Sequence, residues 1–374
     1  MRRWMVVLLV LAGAARADDV QPKNASGAQA RQLQFKVKKV VSLEAHTGQP
    51  SFYGDPRPHL LDRGRALYYG RGAAFGPGLV YVVELPKLEE HVLEAPTAEF
   101  SHQHPELLVK PVVEDMPCLD RTDGRAALVL KDVKNEKAYV AWWDLAKNVL
   151  TSAFLVGDRG RGNWIGVSTI GYVPERGECF VHVEKSVGAG FEDAVVAVGQ
   201  DGARTVATFN PKFITSHGPW FDPVHQRAMV AEIVETPGAQ PTGYLVDLAN
   251  GGVLPFPIPQ LVYGFTFDPD GQRLYAYGVK AGELWAINAA TGVAAKRIKM
   301  GDVGHALGWI GDALTVVGNV RIHLLDRRTL GHRGVVPTRR IAPEAVNVEN
   351  SIVLPDGVVA LDTFYKLYMT RVEQ

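Results

Sequence analysis

The sequence predicts an all-β fold assembled from one repeated strand–turn–strand unit. Three observations carry this. Apolar residues come in short alternating runs, such as Gln34-Phe35-Lys36-Val37-Lys38-Lys39-Val40 and Arg273-Leu274-Tyr275-Ala276-Tyr277, while long stripes at helical spacing are scarce. Gly and Pro, 38 and 23 of 374 residues, break the chain every few positions. A hairpin signature then recurs along its whole length.

The clearest copy runs from Gly264 to Tyr277. One strand ends at Phe267, Asp268-Pro269-Asp270-Gly271 turns, and a second strand starts at Leu274. Proline pre-sets its own φ, and Asp and Gly tolerate positive φ, so this composition suits a tight turn. Related units are Phe221-Asp222-Pro223-Val224-His225-Gln226-Arg227-Ala228, Tyr172-Val173-Pro174-Glu175-Arg176-Gly177-Glu178-Cys179 and Leu119-Asp120-Arg121-Thr122-Asp123-Gly124-Arg125-Ala126. Shorter turns occupy Leu61 to Leu67, Ile310 to Leu314 and Leu354 to Val358. Second strands are therefore expected to begin at residues 67, 126, 179, 228, 274, 314 and 358. The mean step of about 48 residues, with strand–turn–strand content, is the size of a propeller blade. The expected fold is a seven-bladed β-propeller of four-stranded blades.

The remaining strands follow in order. Third strands are expected at Val80 to Leu85, Tyr139 to Leu145, Tyr244 to Leu248 and Glu283 to Asn288, and a fourth at Ala294 to Lys299. The last unit ends with Val358 to Leu361 and Lys366 to Val372, which leaves no room for a fourth strand. Gln34 to Leu43 is an unclaimed strand at the other end. It is expected to pair as the outer strand of the last blade and close the ring, which removes an unpaired edge.

Phe267-Asp268-Pro269-Asp270-Gly271-Gln272-Arg273-Leu274-Tyr275 and Leu284-Trp285-Ala286-Ile287-Asn288-Ala289-Ala290-Thr291-Gly292 resemble the seven-bladed propeller superfamily with YVTN- and WD40-like repeats. The resemblance spans residues 34–372 and is sharpest in the fourth and fifth units. The Gly-His and Trp-Asp signatures of WD40 repeats do not recur. Such repeats imply an architecture and say little of activity. Lactonases and the cofactor-free large subunits of amine dehydrogenases share the architecture. The stretch from Trp285 to Gly292 is also similar to a pyrroloquinoline-quinone-type repeat, as in the outer-membrane assembly propeller. Here Lys296 stands near the place of the following Trp, and no lipid-anchoring Cys is present.

Arg2-Arg3, an apolar run from Trp4 to Ala15, and Ala15-Arg16-Ala17 form a secretory-signal pattern with cleavage after Ala17. A short membrane anchor is the alternative, but the run falls short of the ~20 residues a span needs. Residues 1–17 are thus a signal peptide, 18–33 a polar disordered leader, and 34–374 the propeller. The expected location is periplasmic or extracellular. With 40 basic and 40 acidic residues, nothing pulls the chain toward nucleic acid or anionic lipid. No second long apolar run occurs, so an integral membrane protein is not expected. Cys118 and Cys179 are the only cysteines. An exported setting permits a disulfide, worth roughly 4 kcal/mol across a loop of about 60 residues. Two buried free thiols fit equally, and the spacing is unlike a zinc site.

In a propeller the first strand of each blade lines the central channel, and the loop leading into it lies on one face. The position four residues before the end of each first strand gives Arg57, Asp115, Ser168, His217, Tyr263, His305 or Ala306, and Glu349. Arg57, Asp115, His217, Tyr263, His305 and Glu349 are the candidate ligand-binding ring at the channel mouth. His217 and His305 would stand two blades apart with Tyr263 between them. Imidazole and carboxylate together suit a divalent metal or acid–base work; otherwise each histidine fills its loop. The lead-in loops hold His46, His102, His104, His217 and His305, five of the 11 histidines, which favours this face.

His102 and His104, in Ser101-His102-Gln103-His104-Pro105-Glu106, would project to one side of an extended segment as a candidate metal pair, or belong to a solvated loop. Gly157 to Asn163 is an anion cradle or a flexible turn between blades. Arg327, Arg328, Arg333, Arg339 and Arg340 would meet an acidic partner or simply be solvated. Trp142-Trp143 is expected to show one ring to each face of a strand, with one ring packed between blades; a carbohydrate platform is the other reading.

The leading expectation is a non-catalytic propeller that binds another protein or serves as a scaffold outside the cytoplasm. The alternatives are an enzyme or enzyme subunit acting on a small molecule at the channel mouth, and a quinone-repeat or assembly propeller. No cofactor is expected beyond a divalent metal at the channel mouth.

Overall fold

The computed structural model describes residues 36–44, 59–62, 65–70, 79–84, 89–94, 96, 102, 112–113, 118–120, 124–132, 135–160, 165–215, 219–234, 236, 238–278, 282–302, 304–342, 351–354, 358–363 and 366–373. Their strands pair antiparallel throughout. β1 (Lys36–Glu44) comes first. β2 (His59–Asp62), β3 (Arg65–Gly70), β4 (Leu79–Glu84) and β5 (Glu89–Glu94) form a sheet in sequence order. β6 (Val112–Val113), β7 (Cys118–Asp120), β8 (Arg125–Asp132), β9 (Lys137–Asp144) and β10 (Val149–Asp158) form the next, with β6 and β7 both paired to β8. Three four-stranded meanders follow without interruption. They are β11 (Ile165–Val173), β12 (Glu178–Val187), β13 (Gly190–Val198) and β14 (Ala203–Phe209); β15 (Trp220–Asp222), β16 (Arg227–Ala231), β17 (Thr242–Asp247) and β18 (Val253–Pro257); β19 (Val262–Phe267), β20 (Arg273–Gly278), β21 (Glu283–Asn288) and β22 (Ala294–Lys299). Another contains β23 (Gly304–Ile310), β24 (Ala313–Gly318), β25 (Arg321–Asp326) and β26 (His332–Pro337). The final one contains β27 (Ser351–Leu354), β28 (Val358–Thr363) and β29 (Lys366–Glu373), and its strand order is β1-β29-β28-β27. β1 therefore supplies its outer strand, from Lys36 opposite Glu373 to Glu44 opposite Lys366.

The second strands start at Arg65, Arg125, Glu178, Arg227, Arg273, Ala313 and Val358, each within two residues of the expected position. The turns explain the regularity. Asp120 and Asp222 each close their hairpin by an ion pair to the first residue of the following strand, at 3.0 Å to Arg125 and 2.9 Å to Arg227. Asp268 closes its turn differently: its carboxylate receives the Asp270 amide at 3.0 Å and the Tyr275 hydroxyl at 3.1 Å.

The core lies between successive sheets, in layers. Cys118, Val140, Trp142 and Ile165 pack with Val181 and Val198 between the β6–β10 and β11–β14 sheets. Ile170, Phe180 and Val195 pack with Val230, Tyr244 and Val246 between the next two. Equivalent layers follow around Phe265 and Trp285, around Tyr275 and Leu314, and around Ile322 and Leu361. Because sheets cover both faces of each other, inner strands are buried on both sides. All six residues of β24 are buried, and so are Leu274 to Gly278 of β20. The in–out alternation expected for Arg273 to Tyr277 is thus replaced by continuous burial from Leu274 on, with Arg273 exposed. Outer strands are more exposed, as in β22, where Lys296, Arg297 and Lys299 face solvent.

Specific contacts stitch the layers. Trp142 Nε1 donates to Gly199 O at 2.8 Å, Trp309 Nε1 to Phe267 O at 2.8 Å, Arg176 to Leu248 O at 2.9 Å and Arg227 to Gly271 O at 2.8 Å. Cys118 of β7 and Cys179 of β12 form a disulfide between adjacent sheets, with Cα atoms 6.0 Å apart. First strands of neighbouring sheets also lie side by side, β19 beside β23 and β23 beside β27. At Gly264 of β19 a Cβ would stand 3.2 Å from Leu307 N and 3.3 Å from Ala306 Cα of β23, so a larger residue there would push the two first strands apart by a few tenths of an ångström.

Several sequence expectations change here. Both Trp142 and Trp143 are buried, because both faces of β9 are covered; neither ring is a carbohydrate platform. Gly157 and Asp158 belong to β10 rather than to a turn, and residues 161–164 lie outside those described. The basic stretch expected between the last two units is partly consumed internally, and Arg327, Arg328 and Arg333 lie within the β23–β26 sheet, in the β25–β26 turn and in β26. Arg327 pairs with Asp268 and Asp270 of the preceding sheet, and Arg333 with Asp312 at 2.6 Å. No helix among the described residues is long and apolar enough to cross a membrane.

Candidate functional site

Antiparallel order puts the lead-in loops at one end of every sheet, together with the turns between second and third strands. The first-to-second-strand turns, including Asp268 and Asp312, lie at the opposite end. Of the sequence-predicted residues, Arg57, His104, Asp115, His217 and Glu349 lie outside the described residues. His102 is exposed.

Tyr263 and His305 are placed by their strands. Each is the second residue of a first strand, in β19 and β23. Pairing of β19 with β20 steps from Val262↔Gly278 to Gly264↔Tyr277, so Tyr263 is the extra residue of a bulge. Pairing of β23 with β24 steps from Gly304↔Gly318 to Ala306↔Val317, so His305 is the extra residue of an equivalent bulge. The two strands are neighbours, and bulges recur at sheet rims and beside sites because they re-aim a residue out of the ladder.

At the same end, between the β11–β14 and β15–β18 sheets, lies a buried polar network that the sequence reading missed. β12 and β13 bring Glu184 directly opposite Asp193. His182, two residues from Glu184 on the same side of β12, places Nε2 2.7 Å from Asp193 Oδ2. Thr215, in the loop leading to β15, enters from above. Its amide donates to Glu184 Oε2 at 2.8 Å, and its hydroxyl oxygen lies 2.6 Å from the same atom and in contact with Asp193 Oδ2. His182, Glu184, Asp193 and Thr215 are all at most 4% exposed. Burial pushes the Glu184 carboxyl above the ordinary carboxylate range, and the Asp193 charge adds to the rise against the opposing pull of the Thr215 bonds.

Glu232, just past β16, finishes the anchorage. Its carboxylate accepts the Lys212 amide at 2.7 Å, the Thr242 amide at 2.8 Å and the Tyr244 hydroxyl at 3.1 Å. Ile233 donates its amide to Ile214 O at 2.8 Å. Burial, then the Glu232 charge, holds the Tyr244 phenol protonated far above its ordinary value. Phe209 stacks between the His182 and Tyr244 rings, at centroid distances of 6.2 Å and 4.6 Å. Residues 210–215 are therefore fixed to two sheets at once, directly before the stretch that contains His217.

A second polar group underlies the start of β23. Asp302 Oδ2 accepts the Arg321 amide at 3.1 Å and stands 3.6 Å from His323 Nε2. The His332 ring lies 5.4 Å from that of His323; although the residue is exposed on its strand, partial desolvation of the ring, then His323 itself, pushes the His332 pKa down. Among the described residues no group of three or more His, Cys, Asp or Glu is placed to hold a metal ion. The chemistry these networks offer is proton holding and loop positioning.

The missed residues left one trace in sequence. Phe180-Val181-His182-Val183-Glu184 alternates a polar with an apolar residue inside an otherwise apolar strand, and Asp193 interrupts the following strand. Nothing local links them to Thr215 or Glu232.

No family model matches the sequence, and no curated protein matches it. Solved structures match by shape. A chain from the crystal structure of a mitotic checkpoint complex superposes with a TM-score of 0.60 at 12% identity, covering 96% of this chain and 100% of that one. Streptogramin B lyase gives 0.54 at 12% identity over 92% of this chain and 100% of its own. The Dos1 propeller gives 0.52 at 10% identity over 82% and 75%. At these identities the likeness is one of fold alone, and together with the stacked antiparallel meanders it makes this chain a β-propeller.

Proposed function

We propose that the chain is an exported seven-bladed propeller, closed by its N-terminal strand, that binds another protein through the face carrying the lead-in loops. The observation that carries the reading is the pair of equivalent bulges at Tyr263 and His305, at one end of adjacent first strands. Two residues set out of the ladder at matching places suit a shared contact surface better than independent packing roles. The anchored segment 210–215 gives that surface a rigid floor, and preorganised loops lose less entropy on binding. Seven sheets and the pairing of β1 with β29 support the blade count and the closure. The disulfide and the amino-terminal signal pattern support export. In this reading Arg57, Asp115, His217, Tyr263, His305 and Glu349 ring the contact surface.

The test compares faces. The purified protein is used to capture partners from the extracytoplasmic fraction, in parallel with a Tyr263→Ala/His305→Ala variant and an Arg333→Ala variant altered at the opposite end. A specific partner held by the wild type and by Arg333→Ala, and released by the double variant, is expected. Absence of any specific partner, or equal capture by all three, refutes the assignment. Small-molecule or metal binding by the purified protein, abolished in the double variant, would transfer the face to the enzymatic reading.

A further inference from the structure

We propose that one proton, shared by Glu184 and Asp193 through the Thr215 hydroxyl, latches segment 210–215 onto the sheets beneath it, so that the latch tightens in acid and loosens in alkali. The argument starts from counting hydrogens. The Thr215 oxygen lies within bonding distance of Glu184 Oε2 and of Asp193 Oδ2. A hydroxyl has one hydrogen and can donate to only one of them. The other contact is a hydrogen bond only if that carboxyl brings a hydrogen of its own.

Charge gives the same answer. Glu184 and Asp193 are a directly opposed cross-strand pair, and two like charges at such a position repel. Both are buried, at 3% and 0% exposure, where the repulsion is poorly screened. The ionisable groups facing them are few. From β12, His182 hydrogen-bonds Asp193, and its charge also acts on Glu184 in the direction that favours ionisation. From beyond β16 and from β17 come Glu232 and Tyr244, the first an additional carboxylate and the second its hydrogen-bond donor. Lys185 is on the other side of β12, beside Gly160, and Lys212 contributes its backbone amide while its residue is exposed. Three carboxyl groups thus face one imidazole, and a retained proton relieves the excess.

Glu184 Oε1 and Asp193 Oδ1 are buried with no hydrogen-bond partner, so neither carboxylate is fully compensated as an anion. The upward push on Glu184 agrees with a proton resting on the pair. Its sign follows from linkage. A carboxyl whose folded value lies above its unfolded value keeps a proton that the open form gives up. Its stabilisation is complete below the unfolded value and is lost as pH rises through the folded one. The latch therefore belongs to the acid side.

The reporter is the Thr215 amide, which donates to Glu184. Its hydrogen exchange is measured at about pH 5 and about pH 8, corrected for intrinsic rates, in the intact protein. Wild-type protection is expected to fall by about tenfold or more, the factor for one pKa unit of differential protonation. Glu184→Gln has no carboxyl to ionise at this position, so its protection, whatever its level, should be equal at both values. Thr215→Ser keeps the hydroxyl and should keep the wild-type pH dependence, while Thr215→Val should be weakly protected at both. The carboxylic acid C=O band in infrared difference spectra should titrate in the wild type and vanish in Glu184→Gln. Equal wild-type protection at the two pH values, or an unchanged pH dependence in a folded Glu184→Gln, overturns the proposal. The readout is the loop itself, so the outcome is independent of whether any partner binds this face.

Discussion

A buried indole must fill volume and also find an acceptor for its N–H. Trp142 does both across a sheet boundary, packing beside Val181 and Val198 and donating to Gly199 O. The two contributions are separable. Trp142→Phe should cost about 1 kcal/mol, the worth of one hydrogen bond plus a small packing loss. Trp142→Ala should cost about 3–5 kcal/mol because a large cavity opens between sheets. Urea denaturation with an unchanged m-value measures both; equal costs would mean the N–H bond, and not the packing, dominates. Trp309 bonds Phe267 O in the same manner between the β19–β22 and β23–β26 sheets, so the device is not confined to one layer. These partners are far apart in the chain and leave no local mark. The tryptophans themselves are legible in sequence, and their acceptors are not.

At the scale of elements, the hairpins were the most legible feature. Asp, Pro and Gly act within a few residues, so Asp268-Pro269-Asp270-Gly271 reports its turn without help from the rest of the fold. Strands on either side are then forced to their positions, and β21 and β22 lie where the sequence pattern puts them, at Glu283–Asn288 and Ala294–Lys299. The bulges at Tyr263 and His305 were not legible, because a bulge is a mismatch between two strands and not a property of either. Gly264 hints at one of them only once β23 is known to pass against it. The pairing of β1 with β29 permits a direct trial. A chain lacking residues 1–44 would leave the outer side of β29 unpaired, and free strand edges recruit other chains. It is expected to aggregate or to lose stability, as read by light scattering and thermal unfolding. A monomeric truncated protein of unchanged stability would refute ring closure by β1.

At the scale of the molecule, stability is distributed over layers that each touch only their neighbours, and the disulfide reinforces one such boundary. Cys118 and Cys179 are 61 residues apart in sequence. Replacing both by serine should lower the unfolding free energy by roughly 2–5 kcal/mol, by freeing the unfolded chain and loosening the β7–β12 contact. Chemical denaturation of the double variant, beside wild type with and without reductant, checks this. A reductant effect that persists in the double variant would show that the loss does not come from this bond.

The sequence alone determined the class of fold and the rhythm of its blades, because turn chemistry and strand runs are local and repeat with the chain. It also singled out the end of the sheets where lead-in loops gather. Only the tertiary structure decided which polar residues meet there. Glu184, Asp193, Thr215 and Glu232 come from four separate segments, and their protonation depends on shared burial. Two-sided burial of the inner strands, the inter-sheet disulfide and the bulges at Tyr263 and His305 have the same origin. Each is a relation between elements, set when sheets stack, and no stretch of chain carries it by itself.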